Sequence, residues 1–339
     1  MRILVPTHLS PLAIANRVPD APVETLGGRS MGTSWSVRYV APPASGLSAD
    51  AVAALIGQRL GAVIDQMSQW EKTSLISRFN RAAPNTWHEL PTAFRTVLNC
   101  ALEIAGESEG AFDPTLGALV DLWGFGPAPA RATPPSPQEI EAARARTGWR
   151  KIGFDATQRA IRQPGGVRLD FSGIAKGFAV DHVAEGLRLA GLRHFLVEIG
   201  GELRGEGVKP DGSPWWVAIE RPARLPQNAT GWRETRVALH GLAIATSGDY
   251  RRWFESKGRH YSHTLDPRTG WPIENSIVSA TVLHPSCMKA DAYATALGVL
   301  GADAALHLAT ERDIAACLIR RTGEGVEEIL SPAFRQMLD

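Results

Sequence analysis

The spacing of apolar residues changes period several times along the chain. Trp35-Ser36-Val37-Arg38-Tyr39-Val40 alternates and is rich in aromatic and β-branched residues, which predicts a strand. From Ala51 to Gln69 apolar residues recur at helical spacing, with Ser48 and Asp50 as candidate caps. Thr92 to Ser108 predicts a second helix, stopped near Gly110. Pro127 to Pro137 holds five prolines and no period, so it reads as a loop, and a short helix begins over Ile140 to Thr147. Further on, strands are predicted at Arg168–Asp170, Phe195–Ile199, Trp215–Glu220, Thr235–Leu239 and Ser279–Leu283. Helices are predicted at Ile174–Ala190 and at the small-residue run Ala290–Leu300. Several strands lie near hairpin distance and the helices alternate with them irregularly. This favours an α+β fold with largely antiparallel sheets over a doubly wound parallel sheet. Residues 1–24 read as a flexible leader and 25–335 as one domain, with the Pro-rich loop 127–137 as an excursion because candidate motifs fall on both sides of it.

Composition narrows the function classes. Of 339 residues, 36 are Lys or Arg and 35 are Asp or Glu, so no basic excess supports nucleic-acid binding. Cys100, Cys287 and Cys317 are far apart and odd in number, which disfavours a disulfide framework or a zinc knuckle. Pro6, His8 and Pro11 interrupt the first apolar stretch, and no cysteine near the start offers a lipid attachment point. A cytoplasmic location is therefore favoured, with the periplasm as the alternative. No run approaches the ~20 apolar residues of a membrane span. A phosphate loop, a dinucleotide fingerprint, a nucleophile elbow and a His-Glu-x-x-His motif are all missing from the sequence.

Five constellations remain. In Asp170-Phe171-Ser172-Gly173-Ile174-Ala175-Lys176-Gly177 a strand ends in a carboxylate and a helix opens with a lysine. Helix N-termini suit phosphate, and a first-turn cation makes sense beside an anion; a cap with a solvated lysine is the plainer account. Glu198-Ile199-Gly200-Gly201-Glu202 runs a buried-type strand into paired glycines, which permit either close ligand approach or a tight turn. Ala245-Thr246-Ser247-Gly248-Asp249-Tyr250 precedes His263-Thr264-Leu265-Asp266-Pro267-Arg268-Thr269-Gly270, where His263 and Asp266 are candidates for acid–base work or for structural roles. On the helix holding Ala290 to Thr295, Asp291 and Thr295 are four apart and share a face, a hard-oxygen pair suited to Mg²⁺; simple small-residue packing is the alternative. Gly110-Ala111-Phe112-Asp113-Pro114-Thr115, followed by Leu122-Trp123-Gly124-Phe125-Gly126, sets aromatics beside glycines, as a ring-binding slot or as ordinary core.

Taken in order, these blocks resemble the ApbE family, the FAD-dependent protein FMN transferases. Met31-Gly32-Thr33-Ser34-Trp35-Ser36-Val37, Ser77-Arg78-Phe79-Asn80 and Asp266-Pro267-Arg268-Thr269-Gly270 belong to the same match, which spans about residues 25–301. The resemblance implies an ApbE-like, T-fold-like single domain. It also implies flavin contacts at Met31, Trp70, Ala111, Phe112 and Asp113, with Asp170 and Lys176 holding FAD. A magnesium site is implied at Gly173, Asp291 and Thr295, with His263 near the reacting phosphate as base and Asp170 beside it in the catalytic set. Trp70 departs from the tyrosine usual in the family: stacking survives, but a phenolic hydrogen bond is lost. The implied reaction is Mg²⁺-dependent transfer of FMN from FAD to a Thr or Ser hydroxyl of an acceptor flavoprotein subunit of a respiratory or electron-transfer complex, releasing AMP. An FAD pyrophosphatase and a non-catalytic flavin-binding protein are the competing readings.

Overall fold

The structure is a computed structural model. It describes residues 1–339 except 8–10, 43–45, 156, 158, 223–224, 226–230, 249–251, 324 and 339, and the backbone only of Ala13 and Ala15. The first strands are β1 (Arg2–Leu4), β2 (Glu24–Ser30), β3 (Thr33–Val40), β4 (Trp87–Glu89), β5 (Gly153–Asp155), β6 (Ala160–Arg162), β7 (His194–Ile199) and β8 (Glu202–Glu206). They are followed by β9 (Trp215–Ala218), β10 (Thr235–Leu239), β11 (Leu242–Gly248), β12 (Trp253–Ser256), β13 (Arg259–Ser262), β14 (Ile277–His284), β15 (Ala315–Arg321) and β16 (Val326–Leu330). The helices are α1 (Pro11–Ala15), α2 (Ala49–Met67), α3 (Leu75–Asn80), α4 (Thr92–Glu107) and α5 (Gly117–Leu122). Then come α6 (Pro137–Arg144), α7 (Ala175–Leu189), α8 (Cys287–Leu300), α9 (Ala302–Glu311) and α10 (Pro332–Gln336).

Eight strands form one sheet in the order β16-β15-β14-β11-β8-β7-β3-β2, and every neighbouring pair is antiparallel. The α+β, largely antiparallel expectation holds. Alternation along these strands divides the core in two. Phe195, Val197 and Ile199 of β7, with Ala316 and Leu318 of β15, join the cluster that includes α2, α4, α7 and α8. Their neighbours Leu196, Cys317 and Ile319 face the opposite cluster, built with Trp215, Val237 and Phe334. The large sheet is thus a middle layer between helices on one side and the sheet β1-β10-β9 with α10 on the other.

The leader expectation is corrected at its start. Arg2–Leu4 form β1, parallel to β10, and Leu4 is 0% exposed within the second cluster. Burying a leucine is worth about 2 kcal/mol, comparable to the entropy lost in fixing a residue or two. Arg2 adds hydrogen bonds to Thr235 and Glu328, so this segment is anchored. The strand expected at Arg168–Asp170 reduces to an isolated bridge between Leu116 and Arg168. The α6 helix starts at Pro137, inside the proline-rich run. Ser136 and Glu139 make a reciprocal capping box there, and proline tolerates the first helical position.

Candidate active site

Helix α8 is buried on all sides, as its run of alanines requires. It lies antiparallel to α7, and three pairs of positions meet at intervals of four residues, the first of them at Gly173, two residues before α7 begins. A side chain on Gly173 would touch Thr295 Oγ1 at 3.0 Å. The Gly177 N–H donates to Asp291 Oδ2 at 2.9 Å, and the Cys287 N–H donates to Asp181 Oδ1 at 3.0 Å. Glycine is required at the middle rung, because a Cβ on Gly177 would lie 2.3 Å from the Cys287 carbonyl oxygen. Thr295 therefore lies beside Gly173 and Asp291 beside Gly177, at the start of α7; helical spacing alone gives the two a shared face and not this location. The donors there are a carboxylate, a hydroxyl and a backbone, all hard oxygens, so the residues fit Mg²⁺. Among the described residues no three His, Cys, Asp or Glu side chains converge as a closed cage. A sparse oxygen set of this kind suits an ion that keeps waters and takes substrate phosphates.

Lys176 opposes the dipole of its own helix, and the structure shows what offsets this. Its Nζ lies 2.5 Å from Glu202 Oε1 and 4.0 Å from Asp291 Oδ1. Glu202 is only 1% exposed, and it reaches this place because the Gly200–Gly201 turn, with φ of 65° and 100°, folds β8 back on β7. The notion that α7 offers free backbone donors to a phosphate is corrected at two positions. Ala175 N–H goes to the Phe171 carbonyl and Gly177 N–H to Asp291, so these two amides are taken, and Lys176 supplies the cationic side chain at this helix start.

The segment before α7 is braced by its neighbours. Asp170 accepts from Ser172 N–H at 2.7 Å and Gln69 Nε2 at 3.1 Å, which holds the stretch carrying Trp70 beside it. Asn80, from the Ser77–Asn80 run, clamps both backbone groups of Leu169. Trp70 is 54% exposed, whereas Met31, half-buried, sits at φ 52° in the two-residue turn between β2 and β3. Ala111 and Phe112 are buried, and Phe112 packs within reach of Gly173. Asp113 is an internal brace: its oxygens accept from Thr115 N–H and Oγ1 and from Trp149 N–H, and burial raises its pKa.

His263 belongs to a separate aromatic cluster. Its ring is edge-on to Phe125 at 6.3 Å, and its Nδ1 lies 3.0 Å from the Arg252 carbonyl oxygen. A carbonyl only accepts, so Nδ1 carries the proton, and a neutral ring in this orientation would bear its lone pair on Nε2. Trp123 donates to the Gly270 carbonyl, joining the Trp123–Gly126 loop to the Asp266–Gly270 turn. Asp266 is consumed in that turn by Arg268, which takes acid–base work away from it. Asp249 and Tyr250 of the Ala245–Tyr250 motif lie outside the described residues.

The sequence model of the ApbE family matches residues 31–319. The chain belongs to the ApbE family. A relative from Haemophilus influenzae, named FAD:protein FMN transferase, is 37% identical over 97% of this chain and 95% of its own length. One of the same name from Vibrio cholerae is 39% identical, over 92% of each. The apo crystal structure of the Pseudomonas stutzeri flavinyl transferase ApbE superposes with TM-score 0.85 at 38% identity, covering 94% of this chain and 97% of that one. The Thermotoga maritima ApbE protein superposes with TM-score 0.81 at 28% identity, covering 93% and 99%.

In this ApbE chain, Glu202, Gln69 and Asn80 lie in segments the sequence marks without giving them a role, and no motif marks Asp181. Glu202 follows the paired glycines, and its partner Lys176 comes from α7 across an ion pair that no local pattern encodes. Asp181 and Asn80 hold backbone groups remote in sequence, which no local period encodes.

Proposed function

We propose that this chain transfers FMN from FAD to a Thr or Ser hydroxyl of an acceptor protein, with Mg²⁺ held by the Gly173 carbonyl, Asp291 and Thr295, and releases AMP. The observation that carries the reading is the convergence of Gly173, Asp291 and Thr295 beside Lys176. The names of the relatives support a flavin transferase.

Lys176 offers its ammonium to the pyrophosphate, and Glu202 and Asp291 keep it aimed at the start of α7. Gly173, with no side chain, lets the backbone approach Thr295. The exposed indole of Trp70 and the Met31 side chain flank the isoalloxazine, over a floor of Ala111 and Phe112 that Asp113 braces. Asp170 keeps the Gln69–Trp70 stretch against the Ser172 turn, which joins the flavin side to the phosphate side. His263 takes the hydroxyl proton on Nε2 as the acceptor oxygen bonds to the phosphorus on the FMN side. The bond to the AMP oxygen breaks, and AMP leaves with the electron pair. When bound, Mg²⁺ supplies Lewis-acid shielding of the phosphate charge. The acceptor class is a flavoprotein subunit of a respiratory or electron-transfer complex.

The test is mass spectrometry of such an acceptor after incubation with FAD and Mg²⁺. One added FMN is expected, lost with Asp291→Ala and with chelation of the metal. AMP released without acceptor labelling would make the protein a pyrophosphatase instead. FAD binding with no AMP would make it a carrier.

A further inference from the structure

The three rungs between α7 and α8 do different work. The inner two carry Thr295 and Asp291, which the proposed reaction uses. The outer rung, at Asp181, has no part in that chemistry, yet it is the most heavily bonded. Asp181 Oδ1 accepts from Cys287 N–H at 3.0 Å and Arg204 Nη1 at 2.6 Å. Its Oδ2 accepts from Ser286 Oγ at 2.8 Å and Met288 N–H at 3.0 Å. With Lys289 N–H on Ser286 Oγ at 3.4 Å, the first three amides of α8 are all satisfied. The capping is reciprocal, since Asp291 of α8 takes an amide in the first turn of α7.

Arg204 ties this clamp to the sheet. Its Nε and Nη2 bind Glu206 at 3.0 and 2.7 Å, which fixes the guanidinium on β8. Residues 202 and 204 point to the same face of that strand. Glu202 holds Lys176, while Arg204 holds Asp181. One strand therefore grips α7 at both ends of the stretch that faces α8.

Besides Asp181, register between these helices is marked at the middle rung, where the Gly177 N–H donates to Asp291 and the Gly177 backbone lies against the Cys287 carbonyl. No side chain of α7 takes part in that rung, so the side-chain bonds of Asp181 supply the polar anchoring at the outer one. A slip of one residue is about 1.5 Å along the axis, and binding constellations tolerate about 0.5 Å. We infer that Asp181, held by Arg204, is a positioning residue for the reaction: it sets the register of α8 on α7 and so the placement of Asp291 and Thr295 against Gly173 and Lys176. This inference rests on the magnesium-dependent reading above.

The test uses the full chain with Asp181→Asn, which keeps the shape and one acceptor oxygen but loses the charge facing Arg204. Calorimetric titration with Mg²⁺ alone is expected to show about tenfold weaker binding, the scale of losses from outer partners of metal ligands. The Mg²⁺ concentration for half-maximal FMN transfer rises by the same factor, while kcat at saturating Mg²⁺ stays within about twofold because Lys176 and His263 are untouched. Should Asp181→Asn fail to fold, Ser286→Ala removes a single donor and is expected to weaken Mg²⁺ binding about threefold. A lowered Tm with Mg²⁺ binding unchanged in the folded variant makes Asp181 a helix cap only, and overturns the inference while the proposed function stands. Parent protein that binds no Mg²⁺, or binds it equally well with Asp291→Ala, overturns both.

Discussion

Lys176 and Glu202 show how one ion pair shapes the chemistry of a site. Glu202 is 1% exposed, whereas the Lys176 side chain is 30% exposed. The carboxylate is therefore the desolvated partner, and the ammonium keeps one side open toward solvent and substrate. Removing the cation strands a buried negative charge. Lys176→Met is expected to lower stability by about 2 kcal/mol, below the cost for a fully buried pair because the lysine is partly solvated. Adding Glu202→Gln should restore most of that loss, which denaturant titration of the double-mutant cycle reads directly. FMN transfer should stay low in both variants, since neither returns a cation to the start of α7. Independent, additive losses would mean that the pair carries no coupling.

The packing of α7 on α8 depends on glycine where the helices touch. A methyl group on Gly177 would meet the Cys287 carbonyl at 2.3 Å and Asp291 Cβ at 2.8 Å, both parts of a buried helix that cannot swing aside. Gly177→Ala is expected to destabilise by about 2 kcal/mol although alanine is the better helix former, because overpacking outweighs propensity. The same change should weaken Mg²⁺ binding, as α8 is pushed from α7. Thermal unfolding and a metal titration on one sample check both. An alanine variant more stable than the parent would show that the contact relaxes freely.

Across the molecule, two histidines contribute to the loss of stability in acid. Burial holds the pKa of His284 below its ordinary 6.5, and its Nδ1 accepts the Ser286 N–H, as a neutral ring can. Burial, then the Arg59 cation, lowers the pKa of His182 in the same direction. The unfolded chain takes up these protons near pH 6.5 and the folded chain only at lower pH. Their contribution is therefore full above about pH 6.5 and is lost as pH falls through the folded values. Tm should drop between pH 7.5 and 5.5, and His182→Gln with His284→Gln should flatten that slope. An unchanged slope in the double variant would assign the acid sensitivity to other groups.

The sequence alone determined the α+β class, the longer helices α2, α4, α7 and α8, the strands β3, β7, β9, β10 and β14, the family, and the shared face of Asp291 and Thr295, because these follow from periods of two and four residues and from ordered local motifs. Helix α4 begins at Thr92, and β10 spans Thr235–Leu239, as the patterns predicted. Folding in three dimensions decided the rest. Arg2–Leu4 became a strand because β10 offered an edge and a cluster to bury Leu4. Asp113 and Asp266 became braces because nearby backbone and Arg268 claimed their oxygens. Glu202 and Asp181 gained their partners because β8, α7 and α8 converge. Period and propensity act over a helical turn or two, whereas a buried charge is matched by whatever the fold brings against it from anywhere in the chain.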